Sequence, residues 1–338
     1  MNNNSDKYSK FALVKEMLET VEVVRKFDPS CSAKFVDSLL TRKGLFLTGE
    51  GSSRIFPAKN AIYNNMRTGA LIPIFTEGST QALEYDLDDF VVFGASNSGR
   101  TKEVVRLITK LKNKGHNAIF GLTANEKTKL EEISNATHIL NCGKENAVAA
   151  TKSVIEQALF YDSLLHNFAG GEMKYLYDLA LDIENALTIE IDPELVDKMK
   201  NADMIYFAGR NTGVVEELAL KTNEITRKKS DFLEGTYAVH GIEEVMDKNE
   251  LVIVVEPFES EEEKFQECLV DGIGMSVVAL SSTETSFPTI KIPDGGKYKN
   301  YVELAAGWNV LVEIGIALGI DLDKPVRARK VGNEYIVK

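Results

Sequence analysis

The chain has 338 residues, 44% of them hydrophobic, and 39 Lys and Arg against 51 Asp and Glu give a formal net charge of -12. That size and apolar content suffice for a substantial core and more than one domain, while the acidic balance and the lack of a long Lys/Arg block argue against nucleic acid or an anionic membrane as the main partner. No apolar run reaches the length of a bilayer span and the opening MNNNSDKYSK lacks the apolar core of a signal peptide, so a cytoplasmic protein is expected.

Cysteine and histidine usage narrows the chemistry further. Cys31, Cys142 and Cys268 are odd in number, far apart and without CxxC spacing, which reads as free thiols in a reducing compartment. His116, His138, His166 and His240 form no HxxH or HExxH pair, and no acidic group has the spacing of a cation loop. Neither a metal nor a cofactor is expected.

Residues 8–42 place Phe11, Val14, Leu18 and Val21 at helical spacing, with a break at Pro29 and a second helix from about Ser30, so residues 1–42 read as an N-terminal helical arm. From Gly44 short apolar runs alternate with helical patterns, predicting strands at 45–48, 71–75, 90–93, 118–122 and 138–140. A helix over 148–168 follows and ends at Gly170 and Gly171; these elements make a first domain of residues 43–170. A helical connector over 171–200 leads to a second domain, 201–320, with strands at 204–208, 251–255, 276–280 and 289–292 and a helix over 302–318. Residues 321–338 form a tail. Strands alternating with helices predict an α/β fold of two parallel sheets, each covered on both faces. The domains look like copies: FLTGEGSS (46–53) parallels YFAGRNTG (206–213), and VVFGASNSGRT (91–101) parallels VIVVEPFESEE (252–262).

The stretch FVVFGASNSGRTKEVVRL, residues 90–107, reads as strand, loop and helix. Its loop offers the hydroxyls of Ser96, Ser98 and Thr101 beside Gly99 and beside the unpaired N–H groups of a helix's first turn, a place that suits an anion. The competing reading is that a serine there only caps the helix. Ser52 and Ser53 close the first strand in the same way. The parallel loop in the second copy holds Glu256, Glu259, Glu261 and Glu262 instead, and like charges would repel an anion there. Read from spacing alone, Glu224 in EELALKTNEITRKK is an exposed glutamate paired with Lys221, His240 is a structural histidine, Arg100 is a solvated residue at a helix start and Lys330 lies in a solvated basic terminus.

S-x-S-G-x-T after a strand, two αβα halves and an N-terminal helical arm resemble the sugar isomerase (SIS) family, in the tandem form found in the isomerase half of glutamine-fructose-6-phosphate aminotransferases. The resemblance covers roughly residues 40–338. It implies two αβα sandwich SIS domains and a chemistry that moves a proton between C1 and C2 of a ring-opened, 6-substituted sugar. It makes Ser53, Ser96, Asn97, Ser98 and Thr101 the anion pocket, with Arg100 adding positive charge beside it. Gly51 and Ser52, and Val148 and Ala149 of the VAATK motif, would face the sugar. Lys221 and Glu224 of KTNE match the active-site lysine and the general base, His240 matches the ring-opening histidine sixteen residues later, and Lys330 of DLDKPVRARK matches a substrate-touching lysine in a tail that folds over the sugar. The chain departs from the family at Arg100, which replaces a glutamate of the synthase, at Ala150, which replaces a serine, and after His240-Gly241, where Ile242 and Glu243 stand in place of H-G-P.

The resemblance implies a cytoplasmic aldose-ketose isomerase acting on a hexose with an anionic group at C6. That group is phosphate by default, with a 6-sulfonate such as that of 6-deoxy-6-sulfofructose as the alternative. The enzyme would use no cofactor and form a homodimer with its site near the interface. Two other readings stay open: a glucosamine-6-phosphate deaminase or fructosamine-6-phosphate deglycase using the same glutamate and histidine, and a sugar-phosphate-binding protein without catalysis.

Overall fold

The alternation of short apolar runs and amphipathic helices resolves into two five-stranded, wholly parallel sheets in the computed structural model, which describes residues 1, 2, 4–327, 334 and 335. The first sheet holds β1 (Gly44–Gly49), β2 (Ile74–Gly78), β3 (Phe90–Ala95), β4 (Ile119–Thr123) and β5 (Ala136–Ile139) in the order β2-β1-β3-β4-β5. The second holds β6 (Met204–Gly209), β7 (Lys229–Glu234), β8 (Leu251–Val255), β9 (Ser276–Ser281) and β10 (Thr289–Lys291) in the order β10-β9-β8-β6-β7. Read from the β7 edge, the second order repeats the first strand for strand. The expected α/β architecture of two helix-covered parallel sheets is therefore what the chain forms.

The chain divides into two compact units. Of the described residues, the first-sheet unit comprises Glu22–Glu145 and Ala150–Leu176 with Glu334 and Tyr335; the second-sheet unit comprises those of 1–21, Asn146–Ala149 and 177–327.

In the first-sheet unit, Phe35 meets Phe93, Phe120 and Phe160 edge-on at 5.3, 4.9 and 5.7 Å between ring centres. This aromatic cluster fills one face of the sheet, and each such pair adds about 0.5–1.5 kcal/mol beyond its area. The other face is closed by Val104, Ile108 and Leu111 of the helix Lys102–Asn113, packed on Val92 and Ile119. In the second-sheet unit one face carries Tyr206, Val252, Val254 and Val277 against Phe265 and Leu269. The helices Val214–Ile225 and Lys299–Ala317 pack together so closely that a Cβ on Gly307 would stand 2.4 Å from Leu218. The latter helix buries Trp308 fully.

Three elements differ from the sequence expectation. The strand expected at 71–75 begins at Ile74, because Pro73 has no N–H to give the ladder; it then runs through polar Thr76 and Glu77 as an exposed edge. The helix expected from Val148 begins at Lys152. Before it, the Glu16 carboxylate accepts the Ala147 N–H at 3.3 Å and the Glu145 carboxylate accepts that of Thr151 at 2.7 Å, holding the segment out of the helix. Strand β7 was not expected: Lys229–Glu234 is an edge strand in which only Leu233 is buried.

The stretch DLDKP also has a local task. Asp323 caps the helix Ala12–Lys26, its two carboxylate oxygens accepting the Ala12 and Leu13 N–H groups at 2.8 Å each. Among the described residues no helix is long and apolar enough to cross a membrane.

Candidate functional site

In open α/β sheets ligands gather beyond the strand ends where the connections diverge, which here means beyond β1 and β3 in the first sheet and beyond β6 and β8 in the second. At the first of these places the Ser96 N–H extends the ladder to the Leu122 carbonyl at 2.9 Å, and the chain then turns tightly, Gly99 N–H donating to the Ser96 carbonyl at 3.0 Å. Gly99 has φ +64°, and a Cβ there would lie 2.4 Å from Thr128, so both conformation and space demand glycine. The hydroxyls of Ser96 and Thr101 are 2.8 Å apart, and Ser98 Oγ accepts the Arg100 N–H at 3.2 Å. Thr101 is the N-cap residue of the helix Lys102–Asn113 and makes no side-chain cap bond, so its hydroxyl does not occupy the N–H groups of the helix's first turn.

Gly49 brings the second set of hydroxyls alongside. A Cβ on Gly49 would stand 2.9 Å from the Ser53 carbonyl oxygen and 3.0 Å from that of Ala95, so the short turn Gly51–Ser53 packs directly on the end of β3. Ser52, Ser53 and Ser98 are half-buried, Ser96 is buried, and Gly51 and Arg100 are exposed. The backbone of Arg100 and Thr101 also pairs with the chain's far end: the Tyr335 N–H donates to the Arg100 carbonyl at 2.7 Å, and Thr101 bridges Glu334.

Asn97 is held differently from its neighbours. Its amide nitrogen donates to Glu145 and, at 2.7 Å, to Ser153 Oγ, so its side chain is turned toward the start of the helix Lys152–Phe168. Glu145 is 5% exposed and also accepts the Thr151 N–H at 2.7 Å and the Ser153 hydroxyl at 2.6 Å. This carboxylate fastens the loop after β3 to the start of the following helix. Sequence reasoning missed it, because a lone glutamate in GKENAV carries no periodic or motif signal.

Val148 is half-buried and Ala149 buried; they fall in the segment Asn146–Ala149 that groups with the second-sheet unit. In that unit the helix Val214–Ile225 sets Glu217, Lys221 and Glu224 at successive turns of one face. Lys221 is fully buried, with its ammonium 3.3 Å from Glu217 and 2.8 Å from Glu224. Burial pulls the Lys221 pKa down, but the carboxylates of Glu224 and Glu217 outweigh it and hold the group protonated, above its ordinary value. Glu217 is fully buried, whereas the Glu224 side chain keeps 25% of its surface open. Glu224 is therefore the member of the triad that a solute can reach. Glu217, four residues before Lys221, was the legible signal the sequence reading passed over.

The end of this helix is pinned: Arg227 donates to the Glu224 carbonyl and, at 3.0 Å each, to the carbonyls of Asp321 and Lys324. His240 is exposed on a turn after β7, between the short helix Tyr237–Val239 and Gly241 at φ +109°. Lys330 lies outside the described residues. Among those residues no group of three or more His, Cys, Asp or Glu is arranged to hold a metal ion.

Residues 38–167 match the SIS domain. The SIS match thus covers the sheet that carries the hydroxyl nest, and the second sheet repeats that sheet's topology. The chain is 25% identical over 264 residues, 70% of its length, to a glutamine-fructose-6-phosphate aminotransferase from Aeropyrum pernix. It spans about two-fifths of the length of the curated relatives it matches, 42% and 41%. Among solved structures it resembles the C-terminal domain of glucosamine-fructose-6-phosphate aminotransferase from Francisella tularensis, with TM-score 0.79 and 18% identity over 95% of this chain and 100% of that one. It also resembles tagatose-6-phosphate ketose/aldose isomerase from Escherichia coli, with TM-score 0.76 and 18% identity over 96% of this chain and 99% of that one. At such identities these structural likenesses establish the fold.

Proposed function

We propose that the chain is an aldose-ketose isomerase for a hexose bearing an anionic group at C6, with phosphate the default anion and sulfonate the alternative. The observation that carries this reading is the triad in which a buried, protonated Lys221 sits against a partly exposed Glu224. Moving a proton between C1 and C2 of an open-chain sugar needs one carboxylate to take it from one carbon and return it to the other, and a fixed positive charge to stabilise the enediolate between the two steps. Glu224 takes the first role and Lys221 the second. His240, on its exposed turn, opens the ring by passing the ring-hydroxyl proton. The anion is held by Ser53, Ser96, Ser98, Thr101 and the first-turn N–H groups, each such bond contributing about 1.5–3 kcal/mol.

The reaction is redox-neutral and this reading assigns it no cofactor. It treats residues 43–170 and 201–320 as the two SIS domains of a cytoplasmic homodimer, with the tail from residue 321 closing over the sugar. The match to the SIS domain and the likeness to sugar-phosphate enzymes support it.

Proton NMR in D2O with glucose 6-phosphate, fructose 6-phosphate, glucosamine 6-phosphate and 6-deoxy-6-sulfofructose tests the proposal. Deuterium is expected at C2 of one sugar with aldose-ketose interconversion, and Glu224→Gln should slow this by about 10²- to 10⁴-fold while leaving the fold intact. Release of the amine from glucosamine 6-phosphate would move the assignment to a deaminase. Binding of a sugar without exchange would overturn catalysis on that sugar.

A further inference from the structure

The two sheets share a register as well as an order, and the register assigns a counterpart to Ser96. Leu45 pairs with Val91 and Thr48 with Gly94 in the first sheet; Ile205 pairs with Leu251 and Ala208 with Val254 in the second. The first residue beyond β3 is Ser96, whose N–H donates to Leu122 at 2.9 Å; the first beyond β8 is Glu256, whose N–H donates to Leu280 at the same distance. The ladder thus sets Ser96 against Glu256, one residue from the pairing that the sequence parallel suggested.

What surrounds Glu256 is the donor set of an anion site. Its carboxylate is 3.0 Å from the Lys299 ammonium, accepts the Ser282 N–H at 2.7 Å and lies 3.5 Å from Ser281 Oγ. Arg210 donates to the Glu256 carbonyl and lays its guanidinium 4.1 Å from the centre of the Phe258 ring. Asp294 at 3.7 Å from Lys299 is the opposing charge at the rim, and Glu303 is the buried carboxyl beneath. Glu256 is 7% exposed and takes φ +46°, a conformation that is costly for a residue other than glycine. The helical stretch that follows, Glu262–Phe265 continued by Gln266–Ile273, opens on Glu262 and Glu263 with Glu259 and Glu261 before it, so carboxylates stand at its start where the first nest has hydroxyls. The donors to the Glu256 carboxylate are instead Lys299, the Ser282 N–H and the Ser281 hydroxyl.

We infer that the second sheet retains an anion site of the phosphate class that is filled from within by the Glu256 carboxylate. A tethered carboxylate competes at an effective concentration no free solute reaches, so the site stays closed to ligands in the native chain. Emptying it by one substitution opens it.

Glu256→Ser, which restores the counterpart of Ser96, and Glu256→Gly, which also relieves the backbone strain, are compared with the unsubstituted protein for binding of inorganic phosphate. Stoichiometry by calorimetry and the phosphate-induced shift in Tm are both read against chloride at matched ionic strength. Each variant is expected to take up one phosphate per chain more than the unsubstituted protein, and adding Lys299→Met to either should abolish that extra equivalent. A variant that has lost its fold should regain it in phosphate and not in chloride. Folded variants with unchanged stoichiometry, or unfolded ones that phosphate does not rescue, would overturn the inference. Phosphate uptake by the unsubstituted protein reports the hydroxyl nest of the first sheet, so the proposed function can fail without this inference failing, and the reverse.

Discussion

Glu303 lies near the start of the helix Lys299–Ala317, which is buried from Asn300 to Gly315, and replacing it by glutamine removes its titration. Burial first and the Glu256 carboxylate second raise its pKa from 4.5 to about 7, against the opposing charges of Lys299 and Arg210. Below pH 4.5 the group is protonated in both the folded and the unfolded chain and contributes no slope. Between there and pH 7 the folded chain keeps the proton that the unfolded chain gives up, so stability falls as pH rises; above pH 7 both are ionised and the loss is complete. At about 1.36 kcal/mol for each unit of pKa, the full loss is about 3 kcal/mol. Glu303→Gln keeps the shape and removes the titration. The difference in unfolding free energy between variant and unsubstituted chain is expected to be flat near pH 4, to grow in the variant's favour from about pH 4.5, and to level off above pH 7. Urea denaturation at several pH values gives this difference directly, and titrating groups not coupled to Glu303 cancel in it. Trp308, the chain's single tryptophan, sits in the same helix and reports its unit by fluorescence. Curves that stay parallel from pH 4 to 8 would refute the argument that burial and Glu256 hold a proton on Glu303.

Lys221→Met leaves the fully buried Glu217 without its cation and is expected to cost about 3–5 kcal/mol by urea denaturation; adding Glu217→Gln should recover a large part of that, since the penalty belongs to the stranded charge. Glu145→Ala strips the partner from the Asn97 amide, the Ser153 hydroxyl and the Thr151 N–H, and is expected to lower stability by about 1–3 kcal/mol. The same change should weaken phosphate binding to the unsubstituted Glu256 background, measured by calorimetry, because the anion loop loses its fastening to the next helix. Glu145→Gln, which keeps an acceptor, should fall between the two. Phosphate affinity unchanged in Glu145→Ala would show that the loop holds its shape alone.

The parts of the fold legible in the sequence were those where burial leaves a continuous apolar run. β3 and β8 are buried along nearly all of their length and were read at the right places. β7 was invisible because an edge strand with one buried residue has neither the run nor the alternation that marks a strand. The helix start at Lys152 was misplaced by four residues because the Glu145 carboxylate takes the Thr151 N–H, which a helix from Val148 would have bonded to the Ala147 carbonyl, and Glu16 holds the Ala147 N–H just before. Site residues followed the same division. Hydroxyls around a glycine are a local pattern, so Ser96, Ser98 and Thr101 could be picked out. Glu145 joins Ser153 and Thr151, which are close to it in the chain, to Asn97, which is 48 residues away, and its task emerges only when Asn97 is brought to it. The one-residue shift between Ser96 and Glu256 shows the limit of aligning two halves by composition, since apolar strand residues are interchangeable and hydrogen-bond register is not.

A chain with net charge -12 repels an anionic sugar at long range, and this bears on how a nest in it must work. At physiological ionic strength such repulsion fades within about 8 Å, so what decides binding is the donor set in contact with the ligand. In the first sheet that set is made of hydroxyls and backbone N–H groups, which are neutral and need no balancing charge when the site is empty. In the second it includes the Lys299 ammonium, whose charge would be costly to leave half-buried without a close anion, and there the Glu256 carboxylate of the chain fills the seat. The same skeleton thus has two stable fillings. Neutral donors can wait for a ligand, whereas a half-buried cation calls for a built-in anion, and that difference is enough to give a duplicated fold one open nest and one closed.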